Sequence, residues 1–405
     1  MPDFDGDGES EALYRRTIEF LFSEYRDLFQ ASLVYLRTGT PRPPDMPAEQ
    51  YERTLRARAF DISRYLLPLA TNTSLGQIVN ARTLENQISR LLSHTHAEVR
   101  SLGARLKQAA RESAYNPNEP RYRKLLEEAK AHDEAWAKRL NDELLKPVRV
   151  APTLVKYAEA NPYEIETRRE LRQAEAELMR GAQMFPIDEP VDLLDDEPLE
   201  IELATTLLYE QSHCSYRKIR ERVAALAEKQ REEIITIGTR HRGSHDELLR
   251  PFCAGQKFRF DILMDIGGYR DLHRHRRCTQ VGQDFTTWHG YDTPDEVHAI
   301  GWDDRYRAAL HRACEFSGRM TAAHAPEPDQ IAQYLLPLGI RKRTLFKMDF
   351  AEAVYIAELR TGPGGHISYR RIAYQMYEAV ARRHPALGAL FRVHDVNQPV
   401  DLLQR

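Results

Sequence analysis

The stretch that decides the fold is FRFDILMDIGGYRDLHRHRR, residues 258–277. Phe258, Phe260, Ile262 and Met264 occupy every second position, and side chains two apart share one face of an extended chain. The spacing therefore predicts a strand over 257–265 with a single apolar face. Gly267 and Gly268 end it. The eight residues from Arg270 to Arg277 then carry four arginines and two histidines against one aspartate. Read as a helix, Arg270, Arg274 and Arg277 share one face at i, i+4 and i+7, where like charges repel by roughly a few tenths of a kcal/mol per pair. Such a cluster suits phosphate, which guanidinium groups bind in bidentate fashion. A solvated face paired with acidic residues from elsewhere is the competing reading. Composition alone does not choose among a nucleotide, a dinucleotide and RNA.

Outward from that stretch, the bulk numbers narrow the class. The chain has 405 residues, 42% apolar and 29% charged, with a formal net charge of −3. That length suits two or three domains with a buried core. The near-neutral balance gives no general reason for a nucleic-acid partner, so any anion binding must be local. Without a run of about 18 apolar residues, no membrane span is expected. The start, MPDFDGDGESEA, lacks the basic and apolar regions of a signal peptide and reads as a frayed tail, so a cytoplasmic location is expected. Cys214, Cys253, Cys278 and Cys314 lie far apart with no C-x-x-C pair, as reduced thiols do. His94, His96, His273, His275 and His289 lack ligand spacing, and no metal is expected.

Helical periodicity covers 11–37, a stretch from Glu49 to the Pro68 break, and about 74–110. A charged helix is expected over 121–146, another over 160–185, and two more between 201 and 238. The acidic, proline-rich 185–202 reads as a connector with VDLL as a possible short strand. Trp288 and Tyr291 read either as a stacking platform or as core. One internal similarity organises the whole chain. ISRYLLPL at 62–69 matches IAQYLLPL at 331–338 at an offset of 269, and His96/Arg100 match His366/Arg370 at an offset of 270. The pattern predicts two copies of a helix–proline break–helix unit.

Residues 258–277 resemble the core segment of the flavin-dependent thymidylate synthases, in which a Phe-x-Phe strand leads into Ala-Arg-Gln-x-x-Arg-His-Arg. Phe258, Phe260, Arg270 and Arg274-His275-Arg276 match without a gap, and LRPF at 249–252 resembles the loop before the strand. LLPLATNTSLGQIVNARTLENQISRLL…HAEVR, 66–100, resembles the family's second hallmark, with Asn80, Arg82 and His96. In the second copy, 335–371, Asp349 and Ala351 replace Asn and Arg. The resemblance implies an α+β, helix-rich fold of the flavin-dependent thymidylate synthase type, with a partial N-terminal repeat and a fuller C-terminal one. On this reading the domains are a mostly helical partial repeat at 1–150, a charged helix and acidic linker at 151–200, and the fuller repeat with Arg-His-Arg at 201–405.

What the family implies for function is specific. FAD is the cofactor, with NADPH and methylenetetrahydrofolate as co-substrates and dUMP as the methylated nucleotide. The assembly would be a homo-oligomer, a dimer of pseudo-dimers. Carried over by position, Arg274, His275, Arg276 and Asn80 would contact the cofactor, and Arg82, Arg270 and Thr279 the substrate. The sequence also departs from the pattern. The family's Gln before Arg-His-Arg is Asp271, and its Ser-x-Asn-Glu-x-Ser-x-Arg is met by Thr279, Val281, Gly282, Asp284 and Thr286. RHRGSHDELLR, 240–250, offers a second Arg-His-Arg, but it precedes the strand and is set aside. Two rivals remain open: a member that binds nucleotide or flavin without methyl transfer, and an RNA-binding module.

Overall fold

The computed structural model describes residues 4, 7–182, 189–194, 198–243, 249–252, 258–323 and 329–403. Cys253 and parts of the 185–202 stretch and of the N-terminal tail lie outside the described residues. Contacts divide the chain into two compact units, one joining residues 1–73 to 166–405 and the other comprising 74–165. The division at 150 and 200 read from the sequence follows the repeat; contacts group the chain differently.

The strands are β1 (Val191–Leu193), β2 (Phe258–Asp265), β3 (Thr279–Gly282) and β4 (Arg341–Met348). In chain order the helices are α1 (Gly8–Gly39), α2 (Ala48–Ser63), α3 (Ala81–Leu92), α4 (Ala97–Arg111), α5 (Glu119–Lys130), α6 (Glu134–Leu144), α7 (Pro162–Leu178), α8 (Leu199–Tyr209), α9 (Tyr216–Ala224), α10 (Glu228–Arg240), α11 (Ile266–Leu272), α12 (Asp295–Ile300), α13 (Asp303–Ala323), α14 (Asp329–Gln333), α15 (Phe350–Arg360), α16 (Ile367–Arg383) and α17 (Pro385–Gly388). Three helices, not two, occupy 199–240. The charged stretch 121–146 is two helices rather than one, because Asp133 caps the second by accepting from the Trp136 amide at 2.9 Å. Phe4, in the segment read as a frayed tail, is buried against Tyr14.

In the first unit the sheet runs β1-β2-β4-β3, antiparallel throughout, with Phe258 opposite Met348 and Asp265 opposite Arg341. The alternation in β2 does what its spacing predicts. Phe258, Phe260, Ile262 and Met264 join Phe346 and Met348 of β4 in one core with Ile356, Ile372 and Met376 of α15 and α16. The other face is charged and still buried. There Lys347 meets Glu202 of α8 at 2.7 Å, Arg259 meets the same carboxylate at 3.3 Å, and Arg343 meets Asp261 at 2.8 Å. Asp261 also accepts from the Tyr209 hydroxyl at 2.6 Å and the Tyr216 amide at 2.8 Å, which fixes α8 and α9 on the sheet. Burying these charges is tolerable only because they are paired and hydrogen-bonded.

The two copies of YLLPL meet each other in this unit. Leu69 N donates to Leu336 O and Leu338 N to Leu67 O, while Ala70 N donates to Tyr334 O and Gly339 N to Tyr65 O, all at 2.9 Å. Shifting every number by 269 turns each pair of bonds into its mate, so the contact is a local pseudo-two-fold. Pro68 opposes Pro337 at its centre. That is a non-hydrogen-bonded antiparallel pair, whose own N–H positions point away from the partner, so neither proline removes a ladder bond. The repeat extends further. Asn80 caps α3 through the Thr83 amide, and Asp349, 269 residues on, caps α15 through the Glu352 amide, each at 2.8 Å. The copies part between these two points. Residues 341–348 form β4, whereas their counterparts at 72–79 form no strand.

Candidate functional site

Asp265 at the end of β2 begins the site. Its carboxylate accepts from the Gly268 amide at 2.7 Å and so caps α11, and the Ser368 hydroxyl of α16 donates to it. A Cβ on Gly268 would collide with the Ser368 hydroxyl oxygen and lie 2.9 Å from Met264, so the glycine is what lets α16 approach α11. Buried there, with the Asp292 charge nearby, the Asp265 carboxyl is pushed up to about 6.

The helix stops at Leu272, and this corrects the expected arginine face. Arg274 and Arg277 lie past the end of α11, because the chain must turn within 273–278 to feed β3 against β4. His273 N donates to Tyr269 O at 2.7 Å and His275 N to Leu272 O at 3.1 Å, closing that turn. Arg270, Arg274, Arg276 and Arg277 are exposed on it, while His275 and Cys278 point inward. Arg277 is taken by Asp349 at 2.9 Å, which accounts for an aspartate where the first copy has Asn80. Arg274 has only Asp271, at 3.8 Å. Arg270 and Arg276 have no hydrogen bond or ion pair among the described residues. Their guanidiniums are the free cations of the turn.

His275, read from the sequence as a cofactor contact, is 5% exposed. Arg360 Nε donates to its Nε2 at 2.8 Å, its Nδ1 lies 3.5 Å from Glu352, and Tyr355 meets the ring edge-on. Its carbonyl accepts from Gln280 at 2.7 Å and from the Cys278 thiol at 3.1 Å. The imidazole therefore ties the turn to α15. Burial, then the Arg360 charge, push it down to about 4, so it is neutral at pH 7. A histidine held neutral stabilises the fold above its ordinary pKa of about 6.5, and that contribution shrinks as pH falls toward 4. Asp265, raised, acts in the opposite direction, so the comparison must be with a variant. The urea midpoint of His275→Gln should fall less between pH 6.5 and 4 than that of the parent protein. Parallel curves would contradict the assignment.

Among the other sequence-derived residues, Thr279 is half-buried at the start of β3, opposite Lys347. Asn80 and Arg82 belong to the second unit. There Asn80 is the α3 cap, and Arg82, 72% exposed at its side chain, pairs with Glu85 at 2.5 Å. The residue from the N-terminal copy that reaches α11 within the first unit is Arg64, which sequence reasoning missed. Its side chain is 11% exposed and stands 3.8 Å from Asp61, and its Nε and one terminal nitrogen have no hydrogen-bond partner among the described residues. The Nε is 3.7 Å from where a Cβ on Gly267 would be. The signal was in the repeat itself, since Arg64 aligns with Gln333 just before the YLLPL that both copies share.

Several lesser readings are settled by contacts. Arg240 pairs with Glu170 and Glu233, and His241 meets Glu170 at 2.7 Å, so the second Arg-His is occupied. Burial pushes the Cys278 thiol up to about 11, away from reactivity. Trp288 packs edge-on to His213 at 4.5 Å, and Tyr291 lies against core residues including Tyr306. Among the described residues there is no group of three or more histidine, cysteine or acidic side chains that could hold a metal. Among them, too, no helix is long and apolar enough to cross a membrane.

The arrangement can bind anions: unpaired guanidiniums on α11 and the turn, and at α11 the buried Arg64, which meets Asp61 loosely and keeps unbonded N–H groups. Comparison with known proteins bears on which. A family model described as "Thymidylate synthase complementing protein" matches residues 1–115 and 191–386. A UPF0159 protein of Chlamydia pneumoniae is 28% identical over 400 residues, 96% of this chain and 67% of its own length. A UPF0159 protein of Chlamydia muridarum is 30% identical over 394 residues, 94% of this chain and 66% of its own. One from Thermoplasma acidophilum is 24% identical over 355 residues, 86% and 62% respectively. The chain thus spans about two thirds of the length of these relatives. Among solved structures, a UMP/dUMP methylase, PolB, from Streptomyces cacaoi bound with 5-Br dUMP has 17% identity and a TM-score of 0.29, covering 49% of this chain and 92% of its own.

Proposed function

Because the chain belongs to the thymidylate synthase complementing protein family, we propose that it is a FAD-dependent enzyme that methylates a uracil nucleotide, dUMP to dTMP, with methylenetetrahydrofolate as carbon donor and NADPH as reductant. The observation that carries this reading is the basic turn, where Arg270 and Arg276 keep free guanidiniums and Arg274 is only loosely paired. Those groups fit the phosphates of a dinucleotide and a nucleotide. Arg274 and Arg276 would hold the FAD diphosphate. Arg270, Thr279 and the orphaned N–H groups of Arg64 would hold the substrate. Asn80 and Arg82 remain proposed contacts on the resemblance alone, as does assembly into a dimer of pseudo-dimers. FAD, when bound, supplies the hydride chemistry. The chain's part is to bind, orient and exclude water, and His275 acts as a positioning residue that holds the turn rather than as a contact.

One observation favours a second reading, binding without methyl transfer. Where the family has Asn and Glu, Val281 is 3% exposed in the core, and Gly282 packs on Lys342, whose methylene would be 3.3 Å from a Cβ there. That segment is β3, a strand of the sheet. The two readings share flavin binding, which is tested first. After incubation with excess FAD and desalting, the protein should keep the flavin absorbance bands, and the Arg274→Ala/Arg276→Ala variant should lose them. Absence of retained flavin from the parent protein would overturn the flavoprotein reading. Equal retention by both would remove the turn from the site.

A further inference from the structure

A cavity of about 230 Å3 opens in the first unit between α2 and the first turns of α16, bordered by residues 294–296 and by the segment 396–402. None of its lining residues comes from the 258–282 stretch. One wall carries Arg370, 3% exposed. Its Nε donates to the Thr361 carbonyl at 3.0 Å, and its terminal nitrogens have no acceptor among the described residues. Arg58 lines the same cavity, with its own Nε on the Leu402 carbonyl at 3.2 Å. Burial and then the Arg58 charge draw the Arg370 guanidinium down from its ordinary value. Asp61, Asp295 and Glu296 line the cavity as well, and among the described residues none of them accepts from Arg370.

The surroundings sharpen the class of ligand. His366 caps the 17-residue α16, so the positive end of that helix opens on the cavity through His366 and Ile367. Arg371 is already matched by Asp295 at 2.6 Å and adds no free charge. Ile62, Val396 and Val400 add apolar lining, while Asp61 and Glu296, also in the lining, disfavour a second acidic group. The first repeat has no such site to offer at the matching position, since Arg100, the counterpart of Arg370, spends its guanidinium on the His94 and Thr95 carbonyls.

We propose that this cavity binds a small organic anion, a carboxylate or phosphate monoester on a short apolar body, with Arg370 holding the acidic head. The inference is independent of the flavin reading. The test is calorimetric titration of the full chain with benzoate and with phenyl phosphate, which separate the two head groups. Saturable binding of either is expected, weakened at least about tenfold in Arg370→Gln, the loss of one charge-assisted partner. Should that variant unfold, Val400→Trp fills the cavity from its rim, leaves the Arg370–Thr361 bond in place, and should abolish binding. Arg276→Ala should bind as the parent does. No saturable binding of either probe up to about 10 mM, a range in which even millimolar affinity registers, would overturn the proposal. So would affinity unchanged in both cavity variants, or loss in Arg276→Ala instead.

Discussion

Asp261→Ala should destabilise the protein by about 3–5 kcal/mol, the range for breaking a buried ion pair by removing one partner. Asp261 is 1% exposed and takes hydrogen bonds from Arg343, the Tyr209 hydroxyl and the Tyr216 amide. Truncation leaves Arg343, 3% exposed, without its counter-charge, and strands a hydroxyl and a backbone N–H. Against a total stability of about 5–15 kcal/mol, one such loss is large. Urea unfolding measures it directly. Glu11→Ala is the control, because its pair with Arg15 is exposed on α1 and should contribute less than about 1 kcal/mol. A cost below about 1 kcal/mol for Asp261→Ala as well would mean that the charged face of the sheet does not hold α8 and α9.

The second large effect concerns binding. Replacing Arg274 and Arg276 together by alanine should weaken FAD at least about 100-fold, since a hydrogen bond to a charged group is worth roughly 1.5–3 kcal/mol and two guanidiniums are removed. The effect should shrink as salt is added, because exposed charges are screened. Both arginines are exposed, so the unfolding midpoint should stay where it was. A fall in affinity matched by a fall in stability would point to a damaged fold instead. Arg277→Ala offers a contrast, since that guanidinium already serves Asp349 and the α15 cap.

How much of this was legible in the sequence differs from element to element, and for physical reasons. β2 was readable because its period-2 apolar residues all join one hydrophobic core. The repeat was readable because YLLPL is identical in both copies, and the pairing of those copies around Pro68 and Pro337 follows from it. β4 was hidden. Its alternation is masked by charge, and Lys342, Arg343 and Lys347 are buried on partners that only the fold supplies: Asp261, Glu202 and, for Lys342, the Gln283 carbonyl at 2.7 Å with the Phe285 ring nearby. The arginine turn was legible in charge but not in shape. Helical spacing put Arg270, Arg274 and Arg277 on one face, whereas pairing of β3 with β4 ends the helix at Leu272 and turns His275 inward. Arg64 was missed because it is one of two differences in an eight-residue match, which carry little weight until the structure sets Arg64 beside α11.

The measurement that tests the central claim most directly is product formation from dUMP. The full chain, supplied with FAD, NADPH and methylenetetrahydrofolate, is incubated with dUMP and the nucleotides are weighed by mass spectrometry. The expected product is dTMP, dependent on added FAD and absent in the Arg274→Ala/Arg276→Ala variant. Unchanged dUMP from a protein that retains flavin would contradict it, and would leave the chain as a member of the family that binds without methylating.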